Sequence, residues 1–323
     1  PLRRLTERRR QKCERKSVNI WEINIVRFYF MKKFLTVIGL LCIVALIAYG
    51  SIFVFLHFSY PKTKWDWSKI DTSKTAFPRN FLWGTATAAH QIEGNNENTN
   101  WGEWEKQPNK IKDGSNAIRA VDGWNRAKDD IRLMKELGVN SYRFSLAWNK
   151  IEPENGKFDE AALKHYDAFI DELLANGIEP MITLHHFTHP LWFERAGAFE
   201  KELNIADFLE FSELVFKRYR DRVRLWVTLN EPNVFVTSGY FNTVFPPGKH
   251  DPKLAGEVLK NMLKSHADAY RSLKKIEAEA PVKTQKPLQI GLATSIFHFE
   301  PSRRWHLGDW AIARISSNTF NEG

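Results

Sequence analysis

A carboxylate stands at the end of an apolar run in Trp226-Val227-Thr228-Leu229-Asn230-Glu231-Pro232. Burying an ionised group at such a point is costly unless a cation or a reaction makes use of it. Pro232 has no N–H to donate and therefore ends any β-ladder there. The bland reading of Glu231 is a structural ion pair with Arg143 or another cation. The neighbouring Asn230, an amide suited to binding a hydroxyl, shifts the balance toward a working site. Other polar side chains fall at comparable points of apolar runs: Arg143 in Ser141–Trp148, and His185 and His186 at the end of Glu179–His186. Taken alone, His186 and Gln91 read as ordinary polar residues satisfied at the ends of strands.

The elements that must hold these groups alternate in a regular way. Short apolar runs over 81–89, 141–148, 179–186, 224–230 and 288–295 predict strands. Between and after them, 129–137, 161–175, 205–219, 255–276 and 309–317 carry apolar residues at helical spacing, with stops such as Gly138 and Asn176-Gly177. Five strand-helix units in this order imply a parallel sheet with crossover helices. The near-continuous apolar character of the strands fits burial on both faces. A doubly wound sheet and a closed barrel both satisfy the pattern, but no Gly-x-Gly-x-x-Gly turn follows the first strand, which weakens a dinucleotide-binding oxidoreductase. Arg143, His185, His186, Asn230 and Glu231 all sit in or beyond the C-terminal halves of strands, the end at which a (β/α)8 barrel carries its site.

At this point the sequence resembles glycoside hydrolase family 1, the β-glucosidase family. Asn230-Glu231-Pro232 after Trp-Val-Thr is similar to that family's acid/base motif. Phe77-Pro78 with Phe81-Leu82-Trp83-Gly84-Thr85-Ala86-Thr87-Ala88-Ala89-His90-Gln91-Ile92-Glu93-Gly94 resembles its N-terminal signature. Tyr142-Arg143-Phe144-Ser145-Leu146-Ala147-Trp148 is similar to its second strand, and Thr183-Leu184-His185-His186-Phe187 with Pro190 to its third. The four blocks occur in family order over roughly 77–317. The resemblance implies a (β/α)8 TIM barrel, incomplete here at about five of its eight units, and a retaining β-glycosidase without metal or organic cofactor. It makes Glu231 the acid that protonates the leaving oxygen and then the base that activates water. It assigns Asn230 to the sugar 2-hydroxyl, Gln91 and His186 to hydroxyls on the far side of the ring, and Arg143 to the support of the nucleophile. Four positions depart from the common pattern: Phe187 stands for Trp, His185 for Tyr or Phe, Asn149-Lys150 for Ser-Arg or Pro-Arg, and Gly123 for His.

A retaining enzyme needs two carboxylates about 5–5.5 Å apart. The family's nucleophile is a Glu at the seventh strand, and only five strands are legible here. The terminal Asn321-Glu322-Gly323 follows a helix too soon after Glu231 and reads as the start of a loop. The expectation is therefore a truncated reading frame, lacking the nucleophile and inactive by itself. Its open parallel edge would be prone to aggregate. Alternatives are a transglycosylase acting on glycolipid, as some anchored relatives remodel galactolipids, or a non-catalytic carbohydrate-binding relative. The substrates implied are β-linked glycosides: oligosaccharides, aryl or alkyl glycosides, or glycolipids.

Composition and charge locate the rest. The net charge of +9 is concentrated at the head: residues 1–33 hold eleven Lys or Arg against three Glu, a net +8, which leaves about +1 on the other 290 residues. No basic surface remains to bind nucleic acid on the folded part. Twelve Trp and 23 Phe supply rings that suit either a core or the flat faces of sugars. The two cysteines, Cys13 and Cys42, both lie before the barrel, which needs neither a disulfide nor a thiolate metal site. Residues 34–58 contain no Asp, Glu, Lys or Arg. As a helix they would span roughly 37 Å, enough to cross a bilayer core with some tilt. They are expected to form a single-pass anchor, with the basic segment 1–33 inside and the barrel (77–323) on the non-cytoplasmic side, joined by a linker over 59–76. A cleaved signal peptide ending near Ala48-Tyr49-Gly50, giving a secreted protein, is the competing reading. The first methionine is Met31, and residues 1–30 are expected to be untranslated or mis-called sequence.

Overall fold

The computed structural model describes residues 2–59, 67–69, 71, 73, 76–283, 286–303 and 305–318; among residues 2–59, side chains are described for 25–55 and 58. The greater part of the expected linker and the terminal Asn321-Glu322-Gly323 lie outside the described residues. The chain divides into two compact units, Thr72–Phe297 and a second made of Pro1–Asp71 with His298–Gly323.

In the larger unit, five parallel strands lie side by side in the order in which they occur: β1 (Gly84–Ala86), β2 (Ser141–Ser145), β3 (Glu179–His185), β4 (Leu225–Asn230) and β5 (Gln289–Ala293). A doubly wound sheet reverses its strand order at a switch point. Strictly sequential order, with a helical connection between each pair, is the order of a (β/α)8 barrel. The strands are shorter than their apolar runs suggest. The segment after Ser145 turns into a helix at Trp148–Ile151 rather than extending the strand to Trp148. Phe81–Trp83 likewise precedes β1 and is partly exposed.

Local chemistry sets the helix limits. The helix Glu160–Ala175 starts because the Asp159 carboxylate accepts from the amides of Ala161 and Ala162, at 2.7 and 3.2 Å. It buries Ala162, Leu163, Tyr166, Ile170 and Leu173 along one stripe. Gly177, at φ +74°, takes the left-handed step that turns the chain into β3. The helix Ile205–Tyr219 buries Phe208, Phe211, Ser212, Val215, Phe216 and Tyr219, the i, i+3, i+4 pattern of a helix laid on a sheet. The helix Gly123–Leu137 begins six residues earlier than its apolar periodicity indicates, since its first turns bury only Gly123.

The core sits between the strands and these helices, with Trp148 at its centre. Its ring stacks on Phe211 at 4.8 Å and tilts against Phe193 at 4.8 Å, while its Nε1–H donates to Glu152 at 2.7 Å. Removing this side chain leaves a cavity and takes one of two donors, the other being the Gly156 amide, from a buried carboxylate. Trp148→Ala is expected to cost about 3–5 kcal/mol, seen as a lowered thermal midpoint by circular dichroism. A midpoint within a degree of the unaltered protein would contradict this packing.

In the smaller unit, the helix Leu2–Ser59 contains an apolar stretch, Ile25–Phe55, with mean hydropathy 2.7 in its most apolar window and none of that window buried. It is long and apolar enough to cross a membrane. Cys42 is exposed on it. A second helix, Leu307–Ser317, begins where the His306 ring accepts from the Asp309 amide.

Candidate active site

Strand β4 is buried along its whole length and delivers Asn230, 3% exposed, to the sheet's C-terminal end. The ladder to β5 is irregular between Val227 and Asn230. Beyond this irregularity Glu231 turns into the left-handed region (φ +45°), and its amide donates to the Ala293 carbonyl at 2.7 Å. A residue with a side chain seldom adopts that conformation without support from its surroundings. Here Pro232 starts the following short helix, Pro232–Val236, and the Phe235 amide returns to the Glu231 carbonyl at 3.0 Å. The strained corner lifts the carboxylate out of the ladder and leaves it partly exposed.

Arg143 comes up from β2 beside it. Its Nη2 donates to Asn230 Oδ1 at 2.6 Å and its Nε to Thr183 Oγ1 on β3 at 2.9 Å. One guanidinium thus ties three adjacent strands together and fixes which way the Asn230 amide faces: its oxygen is taken, and its NH2 is directed elsewhere. These bonds replace the simple Arg143–Glu231 ion pair that residue types alone allow. Glu231 still acts on Arg143 through charge, since its carboxylate favours the protonated guanidinium against the larger effect of burial.

His186 follows β3. Burial, and secondarily the Arg143 charge, push its pKa down to about 4. At neutral pH it is therefore an uncharged imidazole, and its buried Nδ1 has no hydrogen-bond partner among the described residues. An uncharged imidazole can accept from or donate to a bound hydroxyl through a ring nitrogen. Gln91 lies in the helical turn Ala89–Ile92 after β1 and is exposed. Arg143, Asn230, Glu231 and His186 form one electrostatically connected group; no hydrogen bond among the described residues joins the Gln91 side chain to it.

Several supporting residues escape a linear reading. Asn100, 3% exposed, donates from Nδ2 to the Phe187 carbonyl at 3.1 Å and accepts the His189 amide at 3.1 Å, so it clamps the loop after β3. Nothing periodic marks that position in the sequence. Glu93, 7% exposed, accepts from the Tyr166 hydroxyl at 2.7 Å and pairs with Lys150 at 3.2 Å. Burial raises the Glu93 carboxyl and lowers Lys150. Lys150 also lies 4.1 Å above the Trp124 ring, which stacks on His165 at 3.6 Å and meets Tyr166 edge-on at 5.4 Å. The lysine that departs from the family's usual Arg is thus satisfied by one carboxylate, the Gly94 carbonyl and one ring. Among the described residues no group of three or more His, Cys, Asp or Glu could hold a metal ion.

Sequential parallel strands carrying a polar cluster at their C-terminal ends define a (β/α)8-barrel protein of the kind that builds its site from strand-end loops. The model of Glycosyl hydrolase family 1 matches residues 73–307, and the chain belongs to that family. β-Glucosidase A of Acetivibrio thermocellus is 37% identical over 239 residues, covering 72% of this chain and 52% of the relative. Coniferin β-glucosidase of Pinus contorta is 36% identical over 257 residues, covering 75% and 50%. Among solved structures, the β-glucosidase BglU from Micrococcus antarcticus superimposes with a TM-score of 0.70 at 32% identity, covering 77% of this chain and 52% of that one. The β-glycosidase from Pyrococcus horikoshii gives 0.65 at 38% identity, covering 76% and 54%. The chain spans about half the length of the relatives it matches.

Proposed function

We propose that this chain carries the acid/base half of a retaining β-glycosidase acting on β-linked glycosides. The observation that supports this best is the corner at Glu231: a partly exposed carboxylate in a left-handed turn, next to an Asn230 amide whose orientation Arg143 fixes. In this reading Glu231 protonates the oxygen of the departing group and then draws a proton from the incoming water. The Asn230 NH2 binds the 2-hydroxyl, a contact that strengthens as the ring flattens toward an oxocarbenium ion. His186 and Gln91 take hydroxyls on the opposite side of the ring. Retention requires a second carboxylate about 5–5.5 Å away as nucleophile. Glu231 is the carboxylate whose charge Arg143 senses among the described residues. We place the nucleophile beyond the five strands, where its charge would join that of Glu231 at the same guanidinium.

Aromatic rings support an apolar leaving group. Phe187, Phe245 and Trp101 are partly exposed and stand in a row, Phe245 at 5.6 Å from Phe187 and Trp101 at 4.9 Å from Phe245, with the buried Phe235 behind Phe187 at 6.5 Å. Such a row suits an aryl or alkyl aglycone. The apolar stretch Ile25–Phe55 favours an amphiphilic substrate such as a glycolipid, with hydrolysis or transfer to a second sugar as the two fates of the intermediate. We read that stretch as an anchor that keeps the barrel on the non-cytoplasmic side of a membrane.

Stereochemistry tests the reading. A barrel completed with the remaining strands of a family relative, such as the Thermotoga maritima β-glucosidase, is expected to hydrolyse p-nitrophenyl β-D-glucoside. Proton NMR should show the β-anomer of glucose before mutarotation. The α-anomer as first product would rule out double displacement. Glycoside binding without turnover would favour a non-catalytic carbohydrate-binding relative.

A further inference from the structure

Two histidines and a carboxylate form a chain under the loop that carries His186. His185, the last residue of β3, and His189 are both fully buried, and their Nε2 and Nδ1 atoms lie 3.2 Å apart. His189 Nε2 lies 2.8 Å from the Glu194 carboxylate, which sits in the helix Leu191–Ala196 and is partly exposed. Donor and acceptor rules fix the protons. An ionised carboxylate only accepts, so His189 carries its proton on Nε2. With a single proton on each ring, His189 offers Nδ1 as acceptor and His185 donates from its own Nε2. The remaining His185 nitrogen, Nδ1, is then a lone pair with no hydrogen-bond partner among the described residues, a cost accepted at the apolar end of the chain.

The span between the two rings is short and strained. Phe187 sits at φ +67°, and its carbonyl is held by Asn100. Backbone strain of this kind persists only where the surroundings over-determine it. His189 supplies three of the constraints: its side chain links β3 to the helix Leu191–Ala196, and both its backbone N–H and C=O are bonded to Asn100, at 3.1 and 3.2 Å. His186 stands next to His185 on the strand side. Lys249 acts on Glu194 from the segment after β4, and Glu200 bonds both Lys249 and Tyr240. Burial holds the His185 pKa well below its ordinary value, and the hydrogen bond from His189 with the charge of Lys249 lowers the Glu194 pKa against its own burial.

We propose that the one-way donor chain His185→His189→Glu194 is a positioning device that fixes the His186–Phe187 span. Its part in setting the His186 imidazole for a sugar hydroxyl rests on the glycosidase reading; the direction of its protons does not. Neither histidine touches substrate. The chain also accounts for His185 and His189 as a matched pair: an apolar side chain at either position would leave the other ring buried with one nitrogen fewer bonded.

Long-range proton–nitrogen NMR of the histidine-labelled 323-residue chain in lipid nanodiscs tests this at pH 7. Both His185 and His189 are expected in the Nε2–H form. An Nδ1–H form at either ring overturns the proposal. Amide exchange supplies the second readout. His189→Phe should speed amide exchange across 186–189 by about tenfold or more while leaving the helix Ile205–Tyr219 unchanged. Glu194→Gln, whose amide oxygen still accepts, should stay within about twofold. Unchanged exchange in His189→Phe, or an equal rise in both regions, defeats the positioning role. Should His189→Phe fail to fold, the tautomers of the unaltered chain decide alone. The stereochemical test of the completed barrel reports separately on the glycosidase reading.

Discussion

Glu231→Gln in the completed barrel is expected to lower kcat/KM for a β-glucoside with a poor, alkyl leaving group by about 10^2–10^4-fold. Glutamine has the shape of the protonated acid but no proton to give, so the leaving oxygen departs as an alkoxide. The loss should be much smaller for a leaving group that departs readily as an anion, such as 2,4-dinitrophenolate, because the first step then needs little help. Breakdown of the covalent intermediate should still be slow, since water loses its general base. A small anionic nucleophile such as azide needs no base and should restore that second step. Equal losses for alkyl and dinitrophenyl substrates, with no azide effect, would remove Glu231 from the acid/base role. That pattern would leave it a structural carboxylate at a strained corner.

The second large effect concerns the polypeptide of these 323 residues taken alone. It is expected to show no turnover of p-nitrophenyl β-D-glucoside above the uncatalysed rate. Double displacement needs an attacking carboxylate as well as an acid, and the cluster assembled by β2, β3 and β4 supplies one carboxylate to Arg143 among the described residues. The geometry of the sheet points the same way. Strands β1 and β5 each have a hydrogen-bonded neighbour on one side only among the described residues. A barrel's site takes its final shape from loops on both sides of its axis. Steady turnover that vanishes in Glu231→Gln would show that this chain holds its own nucleophile, and would overturn this account while supporting the acid/base role.

Much of the architecture is legible in the sequence because it is written in short-range patterns. The helix Ile205–Tyr219 has the limits its apolar spacing indicates. The helix Glu160–Ala175 extends one residue before the periodic stretch because Asp159 caps it. The longest helix of the larger unit, Pro252–Glu279, outruns its apolar core at both ends. Asp251 caps its start, and in the last turn Glu277 pairs with Arg220 and Arg224 instead of adding apolar contacts. Strand ends are less legible. An apolar run such as 141–148 contains both the end of β2 and the start of a buried helix, and apolar character alone does not separate the two. The helix Asn100–Glu105 leaves no periodic signal, since it is fixed by the Thr99 hydroxyl, which accepts from the Gly102 amide at 2.9 Å.

The sequence by itself determined the strand-helix alternation, the family, the carboxylate at Glu231 and the apolar stretch near the head. Each is encoded in residues adjacent in the chain or spaced at a helical period. Only the tertiary structure decided that Arg143 binds Asn230 and Thr183, that Asn100 clamps the loop after β3, and that His185, His189 and Glu194 form one chain. Asn100 and Arg143 bond across separations of 40 to 89 residues. The direction of the histidine chain depends on which ring nitrogen faces which acceptor. Neither is carried by residue types or their spacing; both follow once the parallel register has brought β2, β3 and β4 side by side and burial has made every unpaired polar atom costly.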